Sequence, residues 1–203
     1  MAADLQQRHL PPNGVNGRTP GSEIFTLEWM RRTGRQARLA HGLRAFKLEQ
    51  VTAPPPAPGH LRAADAAAAE LVGAWLHAFD VEAIPDEAGH RTPESVQRML
   101  NEGTVHLWEV DGRAVSLVNY GRPLVTGISI APVYTPPDER GKGYASNAVA
   151  GLSQKLLDQG YAFVSLFTDL ANPTSNKIYQ QVGYRPVCDY ADYVFEGESG
   201  APA

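Results

Sequence analysis

The sequence predicts an α+β fold in which helices flank a mixed, mostly antiparallel central sheet. Val105–Val110 and 114–120 are rich in the apolar residues typical of strands, and Asp111-Gly112 between these runs is a hairpin turn signal. Apolar residues at helical spacing follow over Tyr144–Asp158. With 43% hydrophobic residues in 203, the chain can fill a proper core.

The first 59 residues are predicted to form a tail and a helix–strand extension. Residues 1–22 are rich in proline and glycine and poor in apolar anchors, which predicts a disordered tail. Within the extension, 23–59, apolar residues predict a helix that ends at Gly42, and alternation over 45–51 predicts a half-buried strand. The four prolines of 52–59 predict a stiff linker, because proline neither pairs inside a sheet nor continues a helix.

Residues 60–197 are predicted to form one domain, followed by a tail at 198–203. Asp65 is a candidate N-cap for an alanine-rich helix, and Thr92, Pro93 and Gly103 mark the ends of a second helix. The elements predicted for this domain are a strand at 60–64, these two helices, strands at Val105–Val110, 114–120 and Gly127–Tyr134, a turn at 136–139, a helix at Tyr144–Asp158, a strand at 161–168, a short helix from 172 to 182 and terminal strands between 184 and 195.

Charge and cysteine content exclude several classes of protein. The formal net charge of −4 argues against nucleic acid as the main partner. Cys188 is the single cysteine, so a fold stapled by internal disulfides is excluded. The sequence has neither an apolar run long enough to cross a membrane nor a signal peptide pattern, so we expect a cytoplasmic protein. Its six histidines lack metal-site spacing, so no metal is expected.

The strand, glycine-rich turn and helix between 128 and 157 are the segment most indicative of chemistry. Glycines before a helix let phosphates approach the backbone, and the helix N-terminus offers unpaired N–H groups and partial positive charge. Arg140 adds a fixed charge. The turn is not a Walker loop, because Lys142 is followed by Gly143. Taken alone, such a turn is more typical of an ordinary tight connection.

Arg140-Gly141-Lys142-Gly143-Tyr144-Ala145 resembles the cofactor motif of the GNAT (N-acetyltransferase) superfamily, Arg/Gln-x-x-Gly-x-Gly/Ala. The segment from Asn172 to Tyr179, followed by Gly183-Tyr184, resembles the second motif of that family. The resemblance covers 60–195. Within the superfamily, the chain is similar to a bacterial group of predicted acetyltransferases of unassigned substrate. It implies a GNAT fold and an acyltransferase that uses acetyl-CoA, without a metal.

The resemblance also implies roles for individual residues. Tyr179 aligns with the tyrosine that protonates the departing thiolate. A backbone N–H of the third strand would polarise the thioester carbonyl. The residues expected to bind the pantetheine and pyrophosphate of the cofactor are Val133, Tyr134, Thr135, Arg140, Gly141, Lys142, Gly143, Tyr144, Ala145, Ser146 and Asn172.

The general base is not indicated by the sequence. The strand before the cofactor turn contains no carboxylate, whereas many relatives carry a glutamate there. Glu82, Glu109 and Asp169 are candidates, and a chain of water molecules is an equal alternative. His106 is a candidate for the acceptor site, with a structural role as the alternative.

These residues favour an N-acetyltransferase that acts by direct transfer on a small-molecule or peptide amine. The alternative is a non-catalytic CoA-binding or protein-interaction module with the same fold. Dimerisation through the N-terminal helix and strand is compatible with either function, so a homodimer is included among the expectations.

One hypothesis concerns the origin of the extension. Gly42-Leu43-Arg44 and its strand echo Gly183-Tyr184-Arg185 and the strand after it. The hypothesis is that the extension is the remnant of a preceding GNAT-like lobe, and that its strand adds to an exposed sheet edge. A coincidental extension is the alternative.

Overall fold

The structure is a computed structural model that describes residues 2–7, 10–84 and 91–196. The described helices are α1 (Ala2–Gln7), α2 (Gly21–Thr33), α3 (Ala69–Ala83), α4 (Pro93–Asn101), α5 (Tyr144–Asp158) and α6 (Pro173–Val182). The described strands are β1 (Gly14–Arg18), β2 (Gln36–Leu48), β3 (His60–Ala63), β4 (Val105–Val110), β5 (Arg113–Gly121), β6 (Gly127–Tyr134), β7 (Phe163–Asp169) and β8 (Arg185–Glu196).

The chain packs as two compact units, each assembled from separate stretches of sequence. The first unit comprises Met1–Phe46, Phe167–Asn176 and Pro186–Ala203, and the second comprises Lys47–Leu166 and Lys177–Arg185. The α+β class and the mixed, mostly antiparallel sheet with a helix–strand extension are confirmed. The predicted domain limits, 23–59 and 60–197, stay predictions. Among the described residues, no helix is both long and apolar enough to cross a membrane.

The first unit has the strand order β1-β8-β2-β7. β1 pairs antiparallel with β8, from Gly14 opposite Val194 to Arg18 opposite Tyr190. The side chains of Trp29 and Phe195 pack together, with ring centroids 6.0 Å apart. Residues 1–22, for which the sequence predicts disorder, therefore include a helix and a paired strand. The composition missed this strand because β8 supplies its backbone hydrogen bonds.

The helix of the extension is shorter than predicted, and the strand after it is longer. α2 ends at Thr33, because Gly34 adopts a left-handed conformation with φ of 72° and donates its N–H to the Met30 carbonyl. β2 then runs through Gly42, which is therefore not a helix stop. The strand predicted at 45–51 begins at Gln36 and ends at Leu48. Leu39 therefore lies in a strand and not on a continuing helical face.

The position of β2 bears on the hypothesis that the extension is the remnant of a preceding lobe. In the first unit β2 lies between β8 and β7. Arg44 of β2 donates two hydrogen bonds, of 2.7 and 2.9 Å, to Asp189 of β8. Gly42 lies within a strand, whereas Gly183 follows the end of α6. The two segments therefore differ in local structure at these glycines, and the remnant hypothesis stays a prediction.

The second unit has the strand order β7-β6-β5-β4-β3. β6 and β7 are parallel and the other pairs are antiparallel, which makes the sheet mixed. α4 begins at the predicted cap, since Thr92 and Ser95 form reciprocal capping hydrogen bonds. Asp65 caps a single 3₁₀ turn that leads into α3. The core between α3, α4 and the sheet contains Val72, Leu76, Val105, Leu107 and Leu117.

The C-terminal part of the chain forms one strand rather than several. β8 runs without interruption from Arg185 to Glu196, although the sequence predicts separate terminal strands. The segment contains neither glycine nor an Asn-Gly or Asp-Gly pair that would turn the chain. The prediction of separate terminal strands was therefore wrong.

Candidate functional site

The turn that leads from β6 into α5 exposes the N-terminus of that helix. Gly141 and Gly143 adopt left-handed conformations with φ of 76° and 82°, which glycine accepts without steric cost. Gly143 is the N-cap, so no side chain caps the first turn of α5. The N–H groups of Tyr144, Ala145 and Ser146 therefore form a positive helix end that a phosphate can approach.

Arg140 is held in place by groups of the same unit. Its Nε donates to the Thr135 carbonyl at 2.8 Å, and its Nη2 donates to the two Glu82 oxygens at 3.0 and 2.7 Å. The guanidinium also lies over the Tyr134 ring, 5.9 Å from the centroid. Arg140 therefore connects the end of β6 to the end of α3 beside the glycine turn.

Lys142 also has a carboxylate partner. Glu139, which is 8% exposed, accepts from Lys142 Nζ at 2.9 Å and from Arg113 Nη1 at 2.6 Å. The hydrogen bonds from Lys142 and Arg113 lower the pKa of the Glu139 carboxyl. Both predicted phosphate-binding cations are therefore balanced by carboxylates that the sequence analysis did not pair with them.

β6 leaves part of its edge unpaired just before this turn. Among the described residues, its pairing with β7 runs from Gly127 opposite Phe163 to Ser129 opposite Ser165. Along β5 the register shifts between Val118 and Tyr120, so β6 carries a bulge there. Val133, Tyr134 and Thr135 follow the bulge, where a pantetheine arm could add as a further strand.

Polar side chains surround the bulge and the start of the unpaired edge. Asn119 Nδ2 donates to the Ala131 carbonyl at 2.8 Å, and Asn119 is 7% exposed. Its Oδ1 is buried without a hydrogen-bond partner among the described residues. Ser165 Oγ donates to Ser129 Oγ at 3.2 Å on the paired side. Sequence reasoning missed these residues, although Pro132 inside β6 is a signal for a bulge, because proline cannot donate a hydrogen bond to a neighbouring strand.

Tyr179 is a partly buried phenol on α6. Burial raises the pKa of Tyr179 to about 12. Its ring meets the Tyr184 ring edge-on, with centroids 6.0 Å apart. The Tyr184 hydroxyl is 2.8 Å from Ser153 Oγ, so Tyr184 is tied to α5. The described geometry thus gives Tyr179 a protonated hydroxyl and gives Tyr184 a packing role.

Asn172 belongs to the first unit, whereas the other predicted site residues belong to the second. It caps α6 locally, since its Oδ1 accepts from the Ser175 N–H at 3.0 Å. Its backbone carbonyl accepts from Asn176 Nδ2 at 2.8 Å. The structure thus gives Asn172 a capping role, and cofactor binding by this residue stays a prediction.

The three carboxylates considered as a general base are all engaged. Glu82 pairs with Arg140, and Glu109 of β4 pairs with Arg62 of β3. In the first unit, Asp169 Oδ1 accepts from the Ala171 N–H at 2.7 Å. Each carboxylate therefore has a structural partner, which leaves water as the alternative route for the proton.

His106 is a structural residue rather than an exposed acceptor ligand. It is 1% exposed, its Nε2 is 2.9 Å from Lys155 Nζ, and its Nδ1 is 3.3 Å from the Thr104 carbonyl. A neutral ring satisfies both contacts, with Nδ1 as donor and Nε2 as acceptor. Burial, and then the Lys155 charge, lower the pKa of His106.

This lowered pKa predicts acid sensitivity of the fold. Below about pH 6.5 the unfolded chain takes up a proton at His106 that the folded chain resists, so stability falls as the pH falls. We expect the wild type to lose about 2–4 °C more in Tm between pH 7 and pH 5 than His106→Gln, which keeps a donor and an acceptor. The exposed His77→Gln is the control. Equal acid sensitivity of His106→Gln and wild type would contradict the assignment.

Comparisons with known proteins agree with this architecture. Residues 69–184 match the family model described as the acetyltransferase (GNAT) family. No curated protein matches the sequence. Among solved structures, a GCN5-related N-acetyltransferase from Sphaerobacter thermophilus is similar, with 18% identity and a TM-score of 0.63 over 93% of this chain and 62% of that chain. A GCN5-related N-acetyltransferase from Kribbella flavida has 20% identity and a TM-score of 0.60 over 88% of this chain and 65% of that one.

A smaller structure aligns with only part of the chain. The ribosomal-protein-alanine N-acetyltransferase from Brucella melitensis has 16% identity and a TM-score of 0.57, over 66% of this chain and 97% of its own. This chain spans less than two thirds of the Sphaerobacter and Kribbella proteins. At these identities the likeness shows the fold alone. Within the described ranges, no group of three or more His, Cys, Asp or Glu residues could hold a metal ion.

Proposed function

Because the chain belongs to the acetyltransferase (GNAT) family, we propose that it is an N-acetyltransferase that moves an acetyl group from acetyl-CoA directly to an amine. The observation that carries this proposal is the uncapped, glycine-framed N-terminus of α5 directly after the bulged strand β6. At Gly141 an added Cβ would meet no other atom within 4 Å, so the described residues leave open space at this turn. The residues present therefore fit a pyrophosphate.

In this proposal the backbone N–H groups of 141–146 hold the pyrophosphate, and Arg140 and Lys142 supply positive charge. The backbone of Val133, Tyr134 and Thr135 holds the pantetheine, and Asn172 assists. Acetyl-CoA, when bound, supplies an activated thioester. No metal is required.

Tyr179 holds the proton that the thiolate needs. Its raised pKa keeps the phenol protonated throughout the physiological range, so it is a donor and not a base. The amine of the acceptor must itself lose a proton. Since Glu82, Glu109 and Asp169 have partners, we propose that this proton leaves through water.

The acceptor in this proposal is a small-molecule or peptide amine. The proposal also takes the enzyme to be cytoplasmic and able to form a homodimer. The net charge of −4 is compatible with cationic amines and does not favour nucleic acid. A panel of acceptors should include polyamines, aminoglycosides, lysine peptides and peptides with an N-terminal alanine. The last of these is chosen because the similar Brucella protein is a ribosomal-protein-alanine N-acetyltransferase.

The first experiment is calorimetric titration of the full chain with acetyl-CoA and with CoA, followed by thiol release with the acceptor panel. Micromolar binding and thiol release with one amine class would support the proposal. Binding without release from any amine would favour the non-catalytic CoA-binding module. Absence of binding to either ligand would contradict the cofactor assignment.

Substitutions of Arg140 and Glu82 should change the affinity for CoA in opposite directions. Arg140→Ala should weaken CoA binding about tenfold, because it removes a charged donor from the turn. Glu82→Gln should strengthen CoA binding about two- to fivefold, because it frees the guanidinium from an exposed ion pair. Both dissociation constants can be measured by calorimetry, with Arg98→Ala on α4 as the control. Equal affinity in Arg140→Ala and wild type would contradict the role of Arg140.

A further inference from the structure

Residues 52–58, which we call the proline strap, cross the phosphate-binding end of the proposed site. At one end the Thr52 N–H donates to the Val182 carbonyl at 2.8 Å, at the C-terminus of α6. At the other end the Pro58 carbonyl accepts from Trp108 Nε1 at 2.9 Å, on β4. The strap is therefore anchored at both ends within the second unit, and does not hang between domains as a free linker.

The middle of the strap lies against the first turn of α5. Asn147 Nδ2 donates to the Pro55 carbonyl at 3.0 Å and to the Gly143 carbonyl at 2.9 Å. A Cβ at Gly143 would lie 3.6 Å from the Ala57 Cβ. Asn147 thus links the strap directly to the N-cap residue of the helix whose free N–H groups face the proposed pyrophosphate.

The composition of the strap suits a stiff segment beside the helix end better than one that caps the N–H groups of that end. Four of its seven residues are proline, which restricts the backbone and removes four N–H donors. The strap accepts hydrogen bonds from the side chains of Asn147 and Trp108. Among the described residues, none of its carbonyls accepts from the N–H groups of 144–146. It therefore covers one side of the helix end and leaves the donors of that end unused.

We propose that the proline strap forms one wall of the cofactor-phosphate site and that Asn147 is the positioning residue that holds this wall. The inference rests on the proposed function and adds a part of the site outside both recognised motifs. A stiff wall lowers the cost of binding, since little chain entropy is lost when CoA is held against it.

The test compares CoA binding in variants of the full chain by calorimetry. Asn147→Ala should raise the Kd for CoA about three- to tenfold, which corresponds to the loss of a positioning hydrogen bond. Asn147→Gln, which keeps the donor, should recover part of the affinity. Gln154→Ala on the same helix removes a hydrogen bond within α5, from Gln154 Nε2 to Asp158 Oδ1, and should leave the Kd unchanged.

A spectroscopic signature separates a wall from a general support of the fold. The Trp108 indole N–H reports on the strap directly, and its NMR resonance can be assigned with Trp108→Phe. Its resonance should shift on addition of CoA to wild type and should move in Asn147→Ala, while Tm stays within about 2 °C of wild type.

The outcomes distinguish this inference from the proposed function. If wild type does not bind CoA, the proposed function itself is contradicted and the strap has no cofactor to contact. A second variant, Pro55→Gly with Pro56→Gly, loosens the strap but keeps its carbonyls. If wild type binds CoA and neither Asn147→Ala nor the double glycine variant changes the Kd, the strap is not a wall of the site.

Discussion

Tyr179→Phe should lower kcat by about 100-fold and leave the Kd for CoA within about twofold of wild type. The phenol is partly buried and its raised pKa, about 12, keeps its proton at any physiological pH. Phenylalanine keeps the ring and its packing against Tyr184 but has no proton to give. The measurement is thiol release with the best amine from the acceptor panel.

The matched control for this variant is Tyr184→Phe on the neighbouring ring. The Tyr184 hydroxyl bonds to Ser153, so its loss should lower the free energy of unfolding by about 1 kcal/mol without a comparable loss of kcat. The pH profile gives a second check. Since the folded pKa of Tyr179 lies above 10, kcat should show no decline from loss of this proton between pH 7 and about pH 10. A Tyr179→Phe variant with wild-type kcat would exclude this residue as the acid.

Gly143→Val should weaken CoA binding roughly 100-fold, which corresponds to the loss of one or two hydrogen bonds to a charged phosphate. Gly143 has a φ of 82°, a conformation that a β-branched residue avoids. If valine keeps that conformation, its side chain meets Ala57 of the proline strap. If the turn changes shape instead, the N–H groups of 141–145 no longer converge. Either result lowers the affinity, which calorimetry measures.

Gly103→Val is the control for backbone strain alone. Gly103 also has a left-handed conformation, with a φ of 66°, and open space around an added Cβ. It follows the end of α4 and is not part of the glycine turn of 140–143. Valine there should cost about 1–2 kcal/mol of stability without a change in the Kd for CoA. If both variants weaken CoA binding equally, the effect of Gly143→Val would be a general destabilisation and not a local one.

Local sequence signals predicted the structure correctly where near neighbours in the chain satisfy the backbone hydrogen bonds. Thr92 and Pro93 set the start of α4, and the turn at Asp111-Gly112 separates β4 from β5, as predicted. The glycine turn and the start of α5 at Tyr144 also follow from residues within four positions of each other. Caps and tight turns are short-range interactions, so their signals are present in the sequence itself.

The errors fall where a distant partner decides the conformation. Residues 14–18 are a strand because β8 pairs with them, and their glycine-rich composition gives no sign of it. The chain after Gly34 is a strand because it lies between β8 and β7. Apolar residues at mixed spacing fit the period of a helix as well as that of a strand. The strands available for pairing therefore determine which of the two forms.

The sequence by itself determined the α+β class, the family motifs and the glycine-framed helix end at which a phosphate is proposed to bind. The tertiary structure alone decided which groups surround that helix end. It pairs Glu82 with Arg140 across 58 positions, and Asn147 with Pro55 across 92. The physical reason is range: caps and turns are made by near neighbours, whereas ion pairs and walls are made by residues that only the folded chain brings together.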